Sequence, residues 1–364
     1  LDRVVLAQLL CKRYYNVIGV AALPTLRDVA RKAGVSVSTV SHVFNGYHDI
    51  PAETQQKVWD AARELDYHPN ASARNLVSRR SHLLGLVVPD RSGMHHPFLY
   101  AVICGVAEAI AGTNFGLTLS VAEEDEHSWR EQLNRWKEQR LEGLIAMGIA
   151  EDHPVAKAIL ESGIPAMLVD TILEGPRVSW VKSNDIEGAA SAVRHLLSLG
   201  HRRIAYIHGS GGQICQERLE GYRLALSEAG IPFDAVLVDI GDFTKSGGYR
   251  AMNRILSRAT PTAVFAASDM MAFGAMECLR DRGLHLPDDM AIVGFDDIDA
   301  ASHVTPALTT VRQFGDRMGR EAAETLLDFL EGRIEKPHST LVRTELVIRR
   351  SCGYSDKSHS IASH

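Results

Sequence analysis

Between residues 83 and 297 the chain repeats one pattern eight times: a short apolar run, a polar loop and a helical stretch. The runs are LLGLVVPD (83–90), FGLTLSVA (115–122), LEGLIAMG (141–148), IPAMLVD (164–170), HRRIAYIHG (201–209), AVLVDIG (235–241), PTAVFAASD (261–269) and MAIVGFDD (290–297). A strand with one wet face alternates apolar and polar residues. Runs that are apolar on both faces and joined through helices belong to parallel sheets covered on both sides. Two architectures satisfy this pattern, a closed barrel and a pair of open sheets, and periodicity does not separate them.

The front of the chain obeys a different period. Residues 24–66 read as three short helices. Leu26, Val29, Ala30 and Ala33 fall at i, i+3, i+4, i+7, and Thr25 with Asp28 has the spacing of a capping box. Gly34 supplies the left-handed residue that ends the first helix, and Ser36 is placed to cap the second, whose inward face is Val40, Val43 and Phe44. The third helix starts after Pro51 and repeats the stripe with Val58, Ala61, Ala62 and Leu65.

Charge is divided along the chain. The 364 residues carry a formal net charge of −6, yet residues 24–80 hold 8 Lys+Arg against 6 Asp+Glu, and residues 70–80 (NASARNLVSRR) carry three arginines and no acid. Such a patch is what phosphates attract. The five cysteines are scattered without CxxC spacing, so neither a disulfide framework nor a zinc site is indicated, and a reducing cytoplasm is expected. No apolar run reaches the ~18 residues of a membrane span. The apolar start is broken by Lys12 and Arg13 where a signal peptide would be continuous, so residues 1–23 are expected to be a poorly ordered extension.

A small residue where two helices cross, a turning glycine and an apolar lock are the needs of a helix-turn-helix, and Ala30, Gly34 and the valines 29, 35, 40 and 43 meet them. An ordinary helical hairpin would meet them too. The outward face of the second helix decides between the two: Ser38, His42 and Asn45, at i, i+4, i+7, are short and hydrogen-bonding where a merely solvated face would carry Lys and Glu.

With TLRDVARKAGVSVSTVSHVFN at 25–45, YHPNASARNLVSRRSHLLGLVVPD at 67–90, and PTAVFAASDMMAFGAMECLRDRGLHLPDDMAIVGFDD and TPALTTVRQ later on, the chain resembles the lactose/galactose repressor (LacI/GalR) family over about residues 24–350. The resemblance implies an α/β protein. A helix-turn-helix DNA-binding domain (24–69) and a hinge helix (70–81) precede a periplasmic-binding-protein-like effector domain (82–350) of two doubly wound parallel-sheet lobes. The lobes are about 82–184 with 313–340, and 185–312 with 341–350, and a tail follows at 351–364. It implies base reading by Val37, Ser38 and His42, and phosphate contacts from Thr25, Ser36, Thr39, Ser41 and Asn45. Ala73, Arg74 and Leu76 would enter the minor groove, where an apolar wedge costs a few kcal/mol of unstacking, offset by the bend it permits.

By the same resemblance an effector lies between the lobes. Arg218 and Asp296 match the gripping pair, and Asp269, Asp90, Phe98, Phe243, Asp170 and Gln313 lie at or beside other cleft positions. Taken alone, the two phenylalanines read first as core packing. An arginine fork and a carboxylate bracket vicinal hydroxyls well, and an aromatic face covers a sugar ring. The loop HGSGGQICQ (208–216) lacks the third glycine of a nucleotide fingerprint, because Ile214 stands there, which favours a carbohydrate over a purine.

The expected protein is thus a cytoplasmic repressor. It binds double-stranded operator DNA as a homodimer under control of a small carbohydrate, with no membrane association, cofactor or metal. The alternatives are a transport-type sugar-binding protein, which has no use for a DNA-reading front, and an α/β enzyme, for which no P-loop, G-x-S-x-G or HExxH motif is present.

Overall fold

The structure, a computed structural model, describes residues 24–44, 47, 50–67, 80–88, 96–121, 126–149, 151 and 153–353. The chain divides into two compact units, Leu1–Ser81 and His82–His364.

In the first unit, helices α1 (Leu26–Ala33), α2 (Val37–Phe44) and α3 (Ala52–Glu64) bury the stripes expected of them. Val29, Val40 and Val58 are fully buried at the centre of one small core with Ala30, Val43, Phe44, Ala61 and Ala62. Gly34 closes α1 with φ 68°, and its N–H reaches back to the Ala30 carbonyl. Ser36 Oγ accepts from the Thr39 N–H at 3.0 Å, so α2 begins with a satisfied cap.

The second unit holds two six-stranded sheets. Its strands are β1 (Leu83–Val88), β2 (Gly116–Val121), β3 (Gly143–Met147), β4 (Ala166–Val169), β5 (Val178–Ser183), β6 (Ile204–His208), β7 (Val238–Ile240), β8 (Ala263–Ala266), β9 (Ala291–Asp296), β10 (Thr309–Arg312), β11 (Thr340–Val342) and β12 (Glu345–Val347). The sheet orders are β11-β5-β4-β3-β1-β2 and β12-β10-β9-β8-β6-β7. Each is doubly wound, with the first strand second from one edge, and only β12 runs antiparallel to its neighbour. Open sheets, not a barrel, are therefore the solution. All eight apolar runs contain strands, and β5, β10, β11 and β12 complete the sheets.

Helices α4 (Pro97–Ile110), α5 (Glu126–Glu138), α6 (Pro154–Ser162) and α12 (Gly315–Leu330) belong to the first lobe. Helices α7 (Asp185–Ser198), α8 (Gly212–Glu228), α9 (Lys245–Arg258), α10 (Asp269–Asp281) and the short α11 (Ala300–His303) belong to the second. The chain passes between lobes at Asn184, again between β10 and α12, and a third time between β11 and β12. The third passage follows Val342, near the expected 340, because β11 pairs with β5 of the first sheet. One expected boundary needs correction. Residue 351 does not begin a tail: Ser351 and Cys352 are buried, and Ser351 Oγ both donates to the Ile292 carbonyl (2.7 Å) and accepts from the Thr309 N–H (2.8 Å).

Paired helices on each lobe touch backbone to backbone. A Cβ on Gly105 of α4 would lie 1.8 Å from the Asp316 carbonyl oxygen, and one on Gly319 of α12 would lie 2.1 Å from that of Val102. Because both obstacles are main chain, α4 and α12 would have to separate. Gly105→Ala is accordingly expected to lower stability by about 2–3 kcal/mol, measured as the shift in urea midpoint, whereas Ala107→Ser on the exposed side of α4 should leave it unchanged.

Candidate functional site

The C-terminal ends of the parallel strands in the two sheets enclose a cleft of about 360 Å³. Met147 ends β3 and Ile149 follows it, Asp170 and Thr171 follow β4, Ser210 to Cys215 follow β6, Phe243 follows β7, Asp296 ends β9 and Gln313 follows β10. Ligands of doubly wound sheets bind at this end of the strands, where loops rather than ladders use the backbone groups. Three of the non-glycine lining residues hold a positive-φ backbone: Asp170 (φ 59°), Phe243 (φ 59°) and Asp296 (φ 124°). Such conformations cost of order 1–3 kcal/mol each and gather at ligand sites.

Arg218, on the second turn of α8, is only 3% exposed. Its Nε donates to Asp185 Oδ1 at 2.7 Å and its Nη1 to the Ala267 carbonyl at 2.6 Å, while the guanidinium lies 3.7 Å over the Phe295 ring. Burial alone would lower its pKa, but the charges of Asp185 and Asp296 outweigh this and raise it. Asp296 accepts from Gln313 Nε2 at 2.6 Å and faces His96 Nε2 at 3.6 Å. Burial raises its pKa against the pull of His96 and Arg218. Asp170 is pushed up to about 7, chiefly by burial and then by the charge of Asp185, with Arg218 opposing.

Three buried polar atoms on the cleft wall lack a hydrogen-bond partner: His96 Nε2, Asp296 Oδ2 and Gln313 Oε1. Buried polar atoms are normally satisfied, so a group of orphans beside a cavity marks where a ligand makes the missing bonds. Phe98 and Phe243 flank them, with Met147, Ile149 and Ile214 completing the apolar wall. Most of the orphans are acceptors, and the walls are flat and apolar, which suits a hydroxyl-rich ring.

In the first unit, Val37, Ser38 and His42 form an exposed face on α2, and Thr25 and Ser36 are exposed at the N-terminal ends of α1 and α2. Thr39 and Ser41 are half-buried. The His42 ring stands 4.7 Å from that of Tyr47, which fixes its direction.

The comparisons with known proteins agree with both parts. Residues 25–70 match the family described as bacterial regulatory proteins, lacI family, and residues 193–352 match a periplasmic binding protein-like domain. The HTH-type transcriptional regulator CelR of Thermobifida fusca is 38% identical over 90% of this chain and 98% of its own. The chain belongs to the LacI family. It is a transcriptional regulator and not an enzyme. Another LacI-family relative, the HTH-type transcriptional repressor PurR of Photobacterium profundum, is 32% identical with the same coverage. Among solved structures, a CelR–cellobiose complex matches with TM-score 0.70 at 36% identity, covering 90% of this chain and 99% of that one. A Lac repressor dimer bound to operator and the anti-inducer ONPF matches with TM-score 0.78 at 28% identity, covering 90% and 98%.

Of the residues that the LacI-family resemblance assigns to the effector, Arg218, Asp296, Phe98, Phe243, Asp170 and Gln313 all line the cleft. Asp269 does not. Its carboxylate is fully buried beneath the floor, accepting from Thr310 Oγ1 at 2.5 Å and the Ile298 N–H at 2.9 Å. It tethers the β9–α11 loop, and burial together with Asp296 raises its pKa well above the ordinary carboxylate range. Asn45, Ala73, Arg74, Leu76 and Asp90 lie outside the described residues. Sequence reasoning missed His96, Gln213 and Thr171 on the wall and Asp185 and Lys182 beneath it. For Asp185 a signal existed: an acid directly after Asn184, which accepts from the Glu187 N–H as the cap of α7, is set at the passage between lobes. Among the described residues no helix is long and apolar enough to cross a membrane, and no group of side chains is arranged to hold a metal ion.

Proposed function

We propose that this LacI-family regulator is a repressor. It binds a two-fold symmetric operator as a homodimer and loses or gains that affinity when a sugar or sugar derivative enters the interlobe cleft. The observation that carries the ligand assignment is the set of orphaned atoms on His96, Asp296 and Gln313 between two phenylalanines: acceptors in a bracket around Arg218, with apolar faces beside them, suit vicinal hydroxyls on a ring. The cellobiose bound by the 36%-identical relative supports the same class. Tyr100, 73% exposed on α4, and Leu119, 49% exposed on the edge strand β2, supply apolar surface that a partner subunit would cover. Val37, Ser38 and His42 would read bases while Thr25, Ser36, Thr39, Ser41 and Asn45 hold phosphates, and Ala73, Arg74 and Leu76 would occupy the minor groove.

The test is selection of a DNA sequence from a randomised pool, followed by anisotropy titration of the recovered site with and without cellobiose and related glycosides. A palindromic site bound with 2:1 protein-to-duplex stoichiometry and shifted by a glycoside is the expected result. Recovery of no preferred sequence sinks the reading. On the recovered site, His42→Ala should weaken binding by about 1–3 kcal/mol and relax preference at one position in each half-site, leaving nonspecific binding unchanged.

A further inference from the structure

One buried ion pair joins the lobes and belongs to no part of the cleft bracket. Lys182 is the penultimate residue of strand β5 of the first lobe and is 3% exposed. Its Nζ pairs with Glu217 on α8 of the second lobe, and Asp185 Oδ2 stands 3.7 Å away. Glu217 in turn accepts from Gln213 Nε2 at 3.0 Å, and Gln213 lines the cleft. A buried lysine needs its counter-charge, since removing one partner strands the other in a medium that solvates it poorly. Here the two partners sit on opposite sides of the first passage between lobes, 35 residues apart in sequence.

The same network reaches the second passage. Asp185 receives Arg218, Arg218 Nη1 faces Asp296 at 3.8 Å, and Asp296 holds Gln313, the residue directly after β10. Charged or amide side chains thus run without a gap from Lys182 at one connection to Gln313 at the other, with the cleft bracket between them.

We propose that Lys182 and Glu217 form an interlobe clasp that sets the resting separation of the lobes, and that Gln213 is the residue through which a cleft ligand acts on it. Lys182 and Glu217 are positioning residues, since neither Lys182 nor Glu217 is among the residues lining the cleft. Gln213 has one amide nitrogen engaged by Glu217, so a ligand that recruits the amide draws on the bond that orients Glu217. The clasp then changes with occupancy without any contact between ligand and lysine.

The test needs no effector. Spin labels are attached through ketone-bearing amino acids introduced at Lys157 on α6 and Arg280 on α10, whose side chains are 78% and 75% exposed. The interlobe distance distribution of the full-length chain is then read by double electron–electron resonance. The unsubstituted protein and Lys182→Arg should give one narrow distribution. Lys182→Met, which keeps the apolar stem and loses the charge, and Glu217→Gln should each shift it or broaden it at least twofold. A Lys182→Met distribution superimposable on the parent overturns the clasp, as does equal broadening by Lys182→Arg, which would assign the effect to packing. Should Lys182→Met fail to fold, Glu217→Gln decides the matter by the same criterion.

Discussion

Arg218→Ala should destabilise the effector unit by roughly 3–5 kcal/mol and abolish the glycoside response, whereas Asp296→Asn should abolish the response while changing stability by less than about 1.5 kcal/mol. The difference lies in what each change leaves behind. Without the guanidinium, Asp185 is fully buried and loses its 2.7 Å partner, the Ala267 carbonyl loses its donor, and Phe295 loses the cation over its face. Replacing Asp296 by Asn removes a charge that burial already disfavours and keeps an oxygen for Gln313 Nε2. Urea denaturation monitored by far-UV circular dichroism, together with anisotropy titration on the selected operator, separates the two effects. Equal loss of stability in both variants would refute Arg218 as the hub of the buried charges.

What the sequence disclosed and what it withheld follow from how buried groups are satisfied. Six of the eight apolar runs are legible because they are dry on both faces, and a run such as LLGLVV has no other stable placement, while β2 and β7 are edge strands that stay partly exposed. Strands β5 and β10 are not legible, because they adjoin the passages between lobes and carry Lys182, Ser183, Thr309 and Thr310, all buried, and β11 and β12 are only three residues long. Thr310 holds Asp269 within the second lobe and Lys182 holds Glu217 across the two, so the polarity that disguises these strands serves internal partners. Asp269 shows the converse. Its position in the chain suggests a cleft residue, but its carboxylate is fully buried behind the lining and bonded to Thr310 and Ile298, out of a ligand's reach. Phe98 and Phe243 satisfy both of their readings, since each packs on its lobe's core and also faces the cleft.

Backbone strain and unpaired polarity therefore coincide at one place. Asp170, Phe243 and Asp296 keep unfavourable torsions at the strand ends, while the orphaned atoms stand between them. A ligand that completes those bonds gains the most from the arrangement that holds them in place, and its differential affinity for that arrangement is all that can shift the lobes. Moving such an equilibrium from 1:99 to 99:1 needs about 5.5 kcal/mol. A hydrogen bond to the Asp296 carboxylate at about 1.5–3 kcal/mol, with bonds to His96 Nε2 and Gln313 Oε1 at about 0.5–1.5 kcal/mol each, supplies roughly 2.5–6 kcal/mol toward it.

Asp170 makes stability itself depend on pH. Its folded pKa is pushed up to about 7, from an ordinary value of 3.8, by burial and by the neighbouring charge of Asp185. Between those two values the folded chain keeps a proton that the unfolded chain has released, so this group's contribution to stability falls as pH rises, and flattens above about 7. Each unit in that window is worth about 1.4 kcal/mol. Asn has the shape of the protonated acid at every pH and suits the left-handed backbone at this position. Asp170→Asn should therefore match the parent near pH 3, exceed it by about 1 kcal/mol at pH 4.5 and by about 4 kcal/mol at pH 7.5. Paired urea titrations at half-unit steps give the difference directly. A gap that stays constant across the range would mean that Asp170 keeps an ordinary carboxylate pKa, with Arg218 and Lys182 outweighing its burial.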